Sequence, residues 1–427
     1  MELRKFARGM IAVTAAAALA APAMLGGGLA TAQEATPAPG PMALPAGCSV
    51  VASELVNPRS VAVGDDGSIY ITEAGSGGDE QIMAPATEGT PAPAEVLTQR
   101  GPSGQVTVIS PDGAQSVLAT GLPSYTFGTE VVGPAGVTVS NGIVYVAVGG
   151  PGPATSMVDP ITNQDSVVAI DPATGEVTTV ADIGSFERSA NPDPNAIDSN
   201  LYGIGAAADG TLYVADAGGN TVYQVNPETG EFSVFAVIPG IATPDGPANP
   251  ARGGAKEIDP VPTGIAIGED GTVYVSLLSG GPFIPGTAKI MAIAADGTVT
   301  DAATGLTMLG DVAIGPDGNF YVSQISDNFL AGEMPAPGSV VQVSTDGTAT
   351  PVVSDLMLPN GIAFGADGSL YVVINSTAPA GTPPMGMLLK CDVGAGMAPA
   401  ASPESAGNLA APSAEIAMAE FSFSPKA

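Results

Sequence analysis

The sequence predicts an all-β fold, a six-bladed β-propeller of four-stranded blades, from three observations. A hairpin signature recurs six times, a second hairpin follows most of its copies, and an N-terminal strand pattern supplies the one strand missing at the end. The signature is a short apolar strand, an Asp-Gly or Asn-Gly turn, and a strand built around Tyr-Val or Tyr-Ile. It occupies Val61–Glu73, Val137–Val148, Ile204–Asp216, Ile265–Leu277, Val312–Gln324 and Ile362–Ile374. The turn pairs run from Asp66-Gly67 through Asn141-Gly142 to Asp367-Gly368 and lie 47 to 75 residues apart, a blade-like period with insertions.

Second hairpins begin at Gln105, Val167, Thr221, Lys289 and Val340, and two hairpins make one blade. Lone hairpins are marginal in water, whereas blades stacked around an axis bury both faces of each sheet. The first strand of each blade has a small middle residue, Ala62, Thr138, Gly205, Ala266, Ala313 or Ala363, which suits strands crowded around a channel. Long connections are expected over Ala74–Gly104, Gly149–Asp165, Gly184–Asn200, Pro239–Pro262 and Ser326–Gly338, all on one face.

The last blade lacks a fourth strand after Met387–Cys391, and Ser49–Leu55 reads like the fourth strands Val117–Leu122 and Val352–Leu356. Pairing this N-terminal strand beside Met387–Cys391 closes the ring and brings Cys48 to Cys391, which predicts a disulfide between the only two cysteines. The rival reading of Cys48 is a lipoprotein anchor.

Around this core, residues 1–32 read as a signal peptide: Arg4, Lys5 and Arg8 precede an apolar run that ends at Ala30-Thr31-Ala32. A retained membrane anchor is the alternative. The expected organisation is a Pro/Ala-rich linker over 33–47, the propeller over 48–392 and an Ala/Pro-rich flexible tail over 393–427. Within that tail Ala414 to Pro425 alternates like the opening strand of a cupredoxin-type domain. The expectation is therefore a secreted bacterial protein, monomeric and without a membrane span after cleavage.

Composition excludes several functions. Across 427 residues, 11 Lys plus Arg stand against 42 Asp plus Glu, and a net charge of −31 repels nucleic acid and anionic lipid alike. The chain has no His, which removes Ser-His-Asp triads, imidazole bases and His-ligated zinc or copper. Carboxylate, amide, hydroxyl, Lys and Tyr chemistry remains, together with oxygen-ligand sites for hard cations.

Candidate ligands or metal-binding groups at the channel mouth are Arg59, Tyr202, Thr263, Asp311 and Asn360 from starts of first strands, and Glu73, Asp216, Gln324 and Asn375 from ends of second strands. Such a ring of oxygens suits Ca²⁺ and resembles the sugar-lactonase and paraoxonase propellers, in which strand starts such as Pro359-Asn360-Gly361 furnish a metal ligand. Solvated rim polarity is the bland alternative. A second oxygen-rich stretch, with Asp193, Asn195 and Asp198, reads as a Ca²⁺ loop or, preferably, as a turn.

The stretches Asp198–Val225 and Val261–Ile290, with Asn57-Pro58-Arg59 and Glu187…Asn191-Pro192-Asp193, resemble the ScyD/ScyE family of secreted propeller proteins over residues 48–392. That resemblance implies a six-bladed fold and export, and no particular reaction. Two functions stay open. One is an extracellular or cell-surface binding scaffold for a small molecule, polymer or surface partner. The other is a calcium-dependent hydrolase of the gluconolactonase and paraoxonase type, with Glu73, Asp216, Asp311 and Asn360 as ligands and no assigned catalytic base.

Overall fold

The computed structural model describes residues 44–394 apart from 86–94, 128–129, 151–159, 195–196, 245–247, 250–251, 330–335 and 378–383. The signal peptide and nearly all of the tail expected from the sequence lie outside the described residues, as does Asn195.

The Asp-Gly turns build the hairpins through one repeated device. In the first, Gly67 takes φ +84°, open to glycine at no steric cost, and its N–H donates back to Gly64 O at 2.9 Å. Asp66 Oδ1 then accepts the N–H of Ser68 at 2.9 Å, and Asp209, Asp270, Asp317 and Asp367 do the same two residues on. Those backbone N–H groups hold the Asp66, Asp209 and Asp270 carboxyls below the usual carboxylate range.

Paired hairpins give six antiparallel blades. The first strands are Pro58–Val63, Pro134–Ser140, Leu201–Ala206, Pro262–Ile267, Leu309–Ile314 and Ile362–Phe364, each contacting the next around the axis. The sixth blade is completed by Cys48–Leu55, paired with Gly386–Cys391 in the register Cys48↔Cys391. The two cysteines form the expected disulfide, with a Cα separation of 4.1 Å.

Six apolar layers hold the ring, one between each pair of neighbouring blades. Between blades 3 and 4, for example, Val222 and Ile238 meet Ile265, Val273 and Leu277. The layer between blades 6 and 1 joins Leu55 and Val373 to Ile69 and Ile71, so the N-terminal strand takes part in the closing core. Each fully buried Val, Leu or Ile contributes about 1.5–3 kcal/mol, which is why wheel closure rather than hairpin propensity stabilises the fold.

Three expected loops carry structure. In Ala74–Gly104, Glu80–Pro85 pairs with the front of the long strand Glu95–Ile109, and Gln115–Phe127 and Glu130–Val132 extend the same sheet. The Arg100 guanidinium grips both Glu80 oxygens at 2.8 and 2.9 Å, fixing this ribbon. Gly184–Asn200 opens in a helix, Ile183–Ala190, whose N-terminus is capped where Ser185 N donates to Asp182 Oδ1 at 2.9 Å. Pro239–Pro262 holds a small ribbon of Ile241–Ala242 against Glu257–Ile258.

Candidate ligand site at the channel mouth

The first strands line a central channel of about 320 Å³. Strand pairing sets Pro58, Pro134, Leu201, Pro262 and Leu309 opposite the ends of their second strands, so equivalent rungs follow from register. The next residue in each blade forms the mouth: Arg59, Ala135, Tyr202, Thr263, Gly310 and Asn360. One residue deeper lie Ser60, Gly136, Gly203, Gly264, Asp311 and Gly361. Glycine recurs there because neighbouring strands nearly touch; a Cβ on Gly203 would overlap the Thr263 carbonyl oxygen.

Asp311 is the exception in that glycine layer. Placed one rung below the mouth position expected from the sequence, its carboxylate accepts Ile362 N from the next blade at 2.9 Å and Val312 N at 2.8 Å. It is half-buried and lines the channel. Burial pushes its carboxyl up to about 7, against the pull of the two N–H groups.

Asn360 donates from Nδ2 to Tyr202 Oη at 2.6 Å, a bond joining blade 6 to blade 3 on the opposite side of the wheel. Its Oδ1 is buried and has no hydrogen-bond partner among the described residues. Thr263 donates to Leu309 O at 3.0 Å and ties blade 4 to blade 5. Arg59 is 7% exposed and donates to Val131 O and, at 3.1 Å, to Thr377 Oγ1. Among the described residues no carboxylate forms an ion pair with it.

The other expected mouth residues point elsewhere. Glu73 accepts Val56 N at 2.6 Å, Gln105 Nε2 at 2.9 Å and Thr107 Oγ1 at 2.5 Å. Asp216 accepts Asn200 N and Gly219 N at 2.8 and 2.9 Å and Ser199 Oγ at 2.8 Å. Second strands sit one strand out from the axis, so carboxylates at their ends meet the N–H groups of their own blade's loops before they meet the channel. Gln324 accepts Thr307 N and donates to Asp327, both within blade 5 and its loops. The strand ends at Ile374, and Asn375, one residue beyond, donates to Met385 O at 2.9 Å. Of the four ligands expected for calcium, only Asp311 and Asn360 line the channel.

In the Asn191–Asn200 stretch, Asp193 belongs to a buried ion cluster. Arg252 Nη1 lies 3.4 Å from Asp193 and 2.9 Å from Asp259, and Nε lies 2.5 Å from Glu257. Asn220 Nδ2 bridges Asp193 and Asp259 at 2.8 and 3.3 Å. A guanidinium thus occupies the centre of these oxygens. Asp198 is half-buried, and its charge raises Glu130.

Glu130 went unremarked in the sequence. Burial pushes its carboxyl up to about 7, Arg59 pulls it down, and Asp198 adds to the rise. Its only sequence signal is an acid four residues before the first strand of blade 2. Among the described residues no three His, Cys, Asp or Glu side chains are spaced to hold a metal ion. No helix among them is long and apolar enough to cross a membrane.

The fold and site define a six-bladed propeller with a polar channel mouth. Residues 203–380 match the family model for the SMP-30/Gluconolactonase/LRE-like region. That stretch includes Thr263, Asp311 and Asn360 and leaves out Arg59 and Tyr202. No curated protein matches the chain. Among solved structures, a virginiamycin B lyase from Staphylococcus aureus is 16% identical, with 56% of this chain and 63% of the lyase covered and a TM-score of 0.35. The match thus spans less than two thirds of the lyase's length. A gluconolactonase from Xanthomonas campestris is 14% identical over 81% of this chain and 89% of its own, with a TM-score of 0.46. The calcium-binding protein regucalcin from Agrobacterium tumefaciens is 14% identical over 81% of this chain and 93% of its own, with a TM-score of 0.45.

Proposed function

We propose that this chain is an exported ligand-binding propeller of the ScyD/ScyE type, which seats a small molecule at the channel mouth. The observation that carries the reading is the mouth itself. Arg59, Tyr202, Thr263, Asp311 and Asn360 come from five different blades onto one channel, on strands whose positions the wheel fixes. A disulfide closing the ring fits an oxidising compartment, in keeping with export.

A resident calcium ion fits these residues poorly. Ca²⁺ takes about 6–8 oxygens, and the channel offers Asn360 Oδ1, without a partner among the described residues, and the Asp311 carboxylate one rung deeper, beside a fixed guanidinium. A hydrolase of the lactonase type remains the second reading, supported by the match over residues 203–380 and by one chemical feature. Asp311, with its carboxyl pushed up to about 7, exchanges a proton near neutral pH as a general base must.

Thermal unfolding of the full chain in calcium chloride and in chelator, run beside hydrolysis assays on 4-nitrophenyl acetate and a panel of lactones, separates the readings. The binding reading expects no calcium-dependent rise in Tm and no turnover. Turnover abolished by Asp311→Asn would establish the hydrolase instead, and a saturable calcium shift lost in Asn360→Ala would restore the metal.

A further inference from the structure

Among the described residues no carboxylate contacts the Arg59 guanidinium, and Glu130, the acid that feels its charge, is itself pushed up to about 7 by burial. A guanidinium has five N–H donors, and Arg59 directs its bonds at two neutral oxygens, Val131 O and Thr377 Oγ1. A buried cation without an ion-pair partner is costly, and in a chain of net charge −31 carboxylates are plentiful, yet none of the described ones pairs with it.

An apolar cluster lies in the loops that lead into and out of blades 4 to 6. Val261 and Leu358 each lie two residues before a mouth residue, Thr263 and Asn360, and pack partly exposed on Leu278, Phe283, Met308, Ile325 and Phe329. Blade 6 links this cluster to Arg59, since Leu358 leads into Asn360-Gly361 and Gly361 N donates to Arg59 O at 2.9 Å. Tyr202 Oη receives its hydrogen bond from Asn360 and keeps its own proton for a further acceptor.

We propose that the mouth seats an organic anion, a carboxylate on an apolar body, with the carboxylate on Arg59 and the body over Val261 and Leu358. This rests on the channel mouth being the ligand seat. A planar carboxylate matches the guanidinium fork, and charge-assisted hydrogen bonds in a partly desolvated site are the stronger kind.

Benzoate and its neutral isostere benzamide test this by calorimetric titration of the full chain at fixed ionic strength, using wild type, Arg59→Met, Arg59→Lys and Tyr202→Phe, each checked for folding by circular dichroism. The expected result is benzoate at least about tenfold tighter than benzamide, with that margin lost in Arg59→Met and reduced but not abolished in Arg59→Lys, which keeps the charge and loses the fork. Equal binding of the two probes, weakened by Tyr202→Phe, overturns the anion preference and leaves the mouth as the seat. Benzoate binding indifferent to both Arg59→Met and Tyr202→Phe overturns the seat itself. No binding of either probe up to its solubility limit overturns the proposed ligand class.

Discussion

Replacing Asp311 with Asn should change the pH dependence of stability in a defined direction. The Asp311 carboxyl is raised in the folded chain from 3.8 to about 7, so the folded state holds its proton more tightly than the unfolded state does. Stability from this group is therefore complete below about pH 4 and is lost as pH rises through about 7. The full shift would remove about 2–3 kcal/mol between pH 5 and pH 8, or about 2 kcal/mol once solvent reaching the carboxyl through the mouth is allowed for. Asn cannot ionise, but it offers one acceptor to the two N–H groups of Val312 and Ile362, which costs about 1 kcal/mol at any pH. The two stability curves should cross: the variant is less stable at pH 5 and more stable at pH 8. Urea unfolding of both proteins at four pH values measures this. A chain of net charge −31 weakens with rising pH for general reasons, and the difference between the two curves removes that background. Parallel curves would refute the raised carboxyl. Glu130, also pushed up to about 7, should give a slope of the same sign to Glu130→Gln.

Other changes test the frame. Replacing both Cys48 and Cys391 with Ser opens a bridge spanning 343 positions. The expected loss is about 2–5 kcal/mol, below the chain-entropy limit of about 6, and unchanged guanidinium unfolding would refute its role in closure. Arg252→Met leaves Asp193, Glu257 and Asp259 facing one another without their cation. It should cost about 3–5 kcal/mol, with a loss under about 1 contradicting the buried cluster. Gly203→Ala forces a Cβ into the Thr263 carbonyl and should cost about 2–3 kcal/mol. Gly142→Ala, in an open turn at φ +75°, should cost about 1 kcal/mol by strain alone. Equal losses at the two glycines would deny the crowding of first strands.

The wheel was legible because its determinants are local and repeated. Asp-Gly turns, Tyr-Val strands and a missing last strand are all visible along the chain, and the pairing of Cys48–Leu55 with Gly386–Cys391 follows from counting. The site was legible only where it lies on first strands, as for Arg59, Tyr202, Thr263 and Asn360. Asp311 slipped by one rung because blade 5 carries Gly310 before Asp311 while blade 6 carries Asn360 before Gly361, and polarity alone does not reveal that inversion. Glu73 and Asp216 looked available because loop N–H groups leave no mark in sequence, yet those groups take up both carboxylates. Glu130 and Arg252 lie in insertions without repeat partners, so only the folded chain shows what surrounds them.

On this proposal the channel mouth holds an organic anion on Arg59. Anomalous diffraction from crystals of the full chain soaked in 4-bromobenzoate tests it most directly. The expected result is a bromine peak over Val261 and Leu358, with the carboxylate on the Arg59 guanidinium beside Tyr202. A bromine site away from the channel, or a carboxylate turned from Arg59, would contradict it.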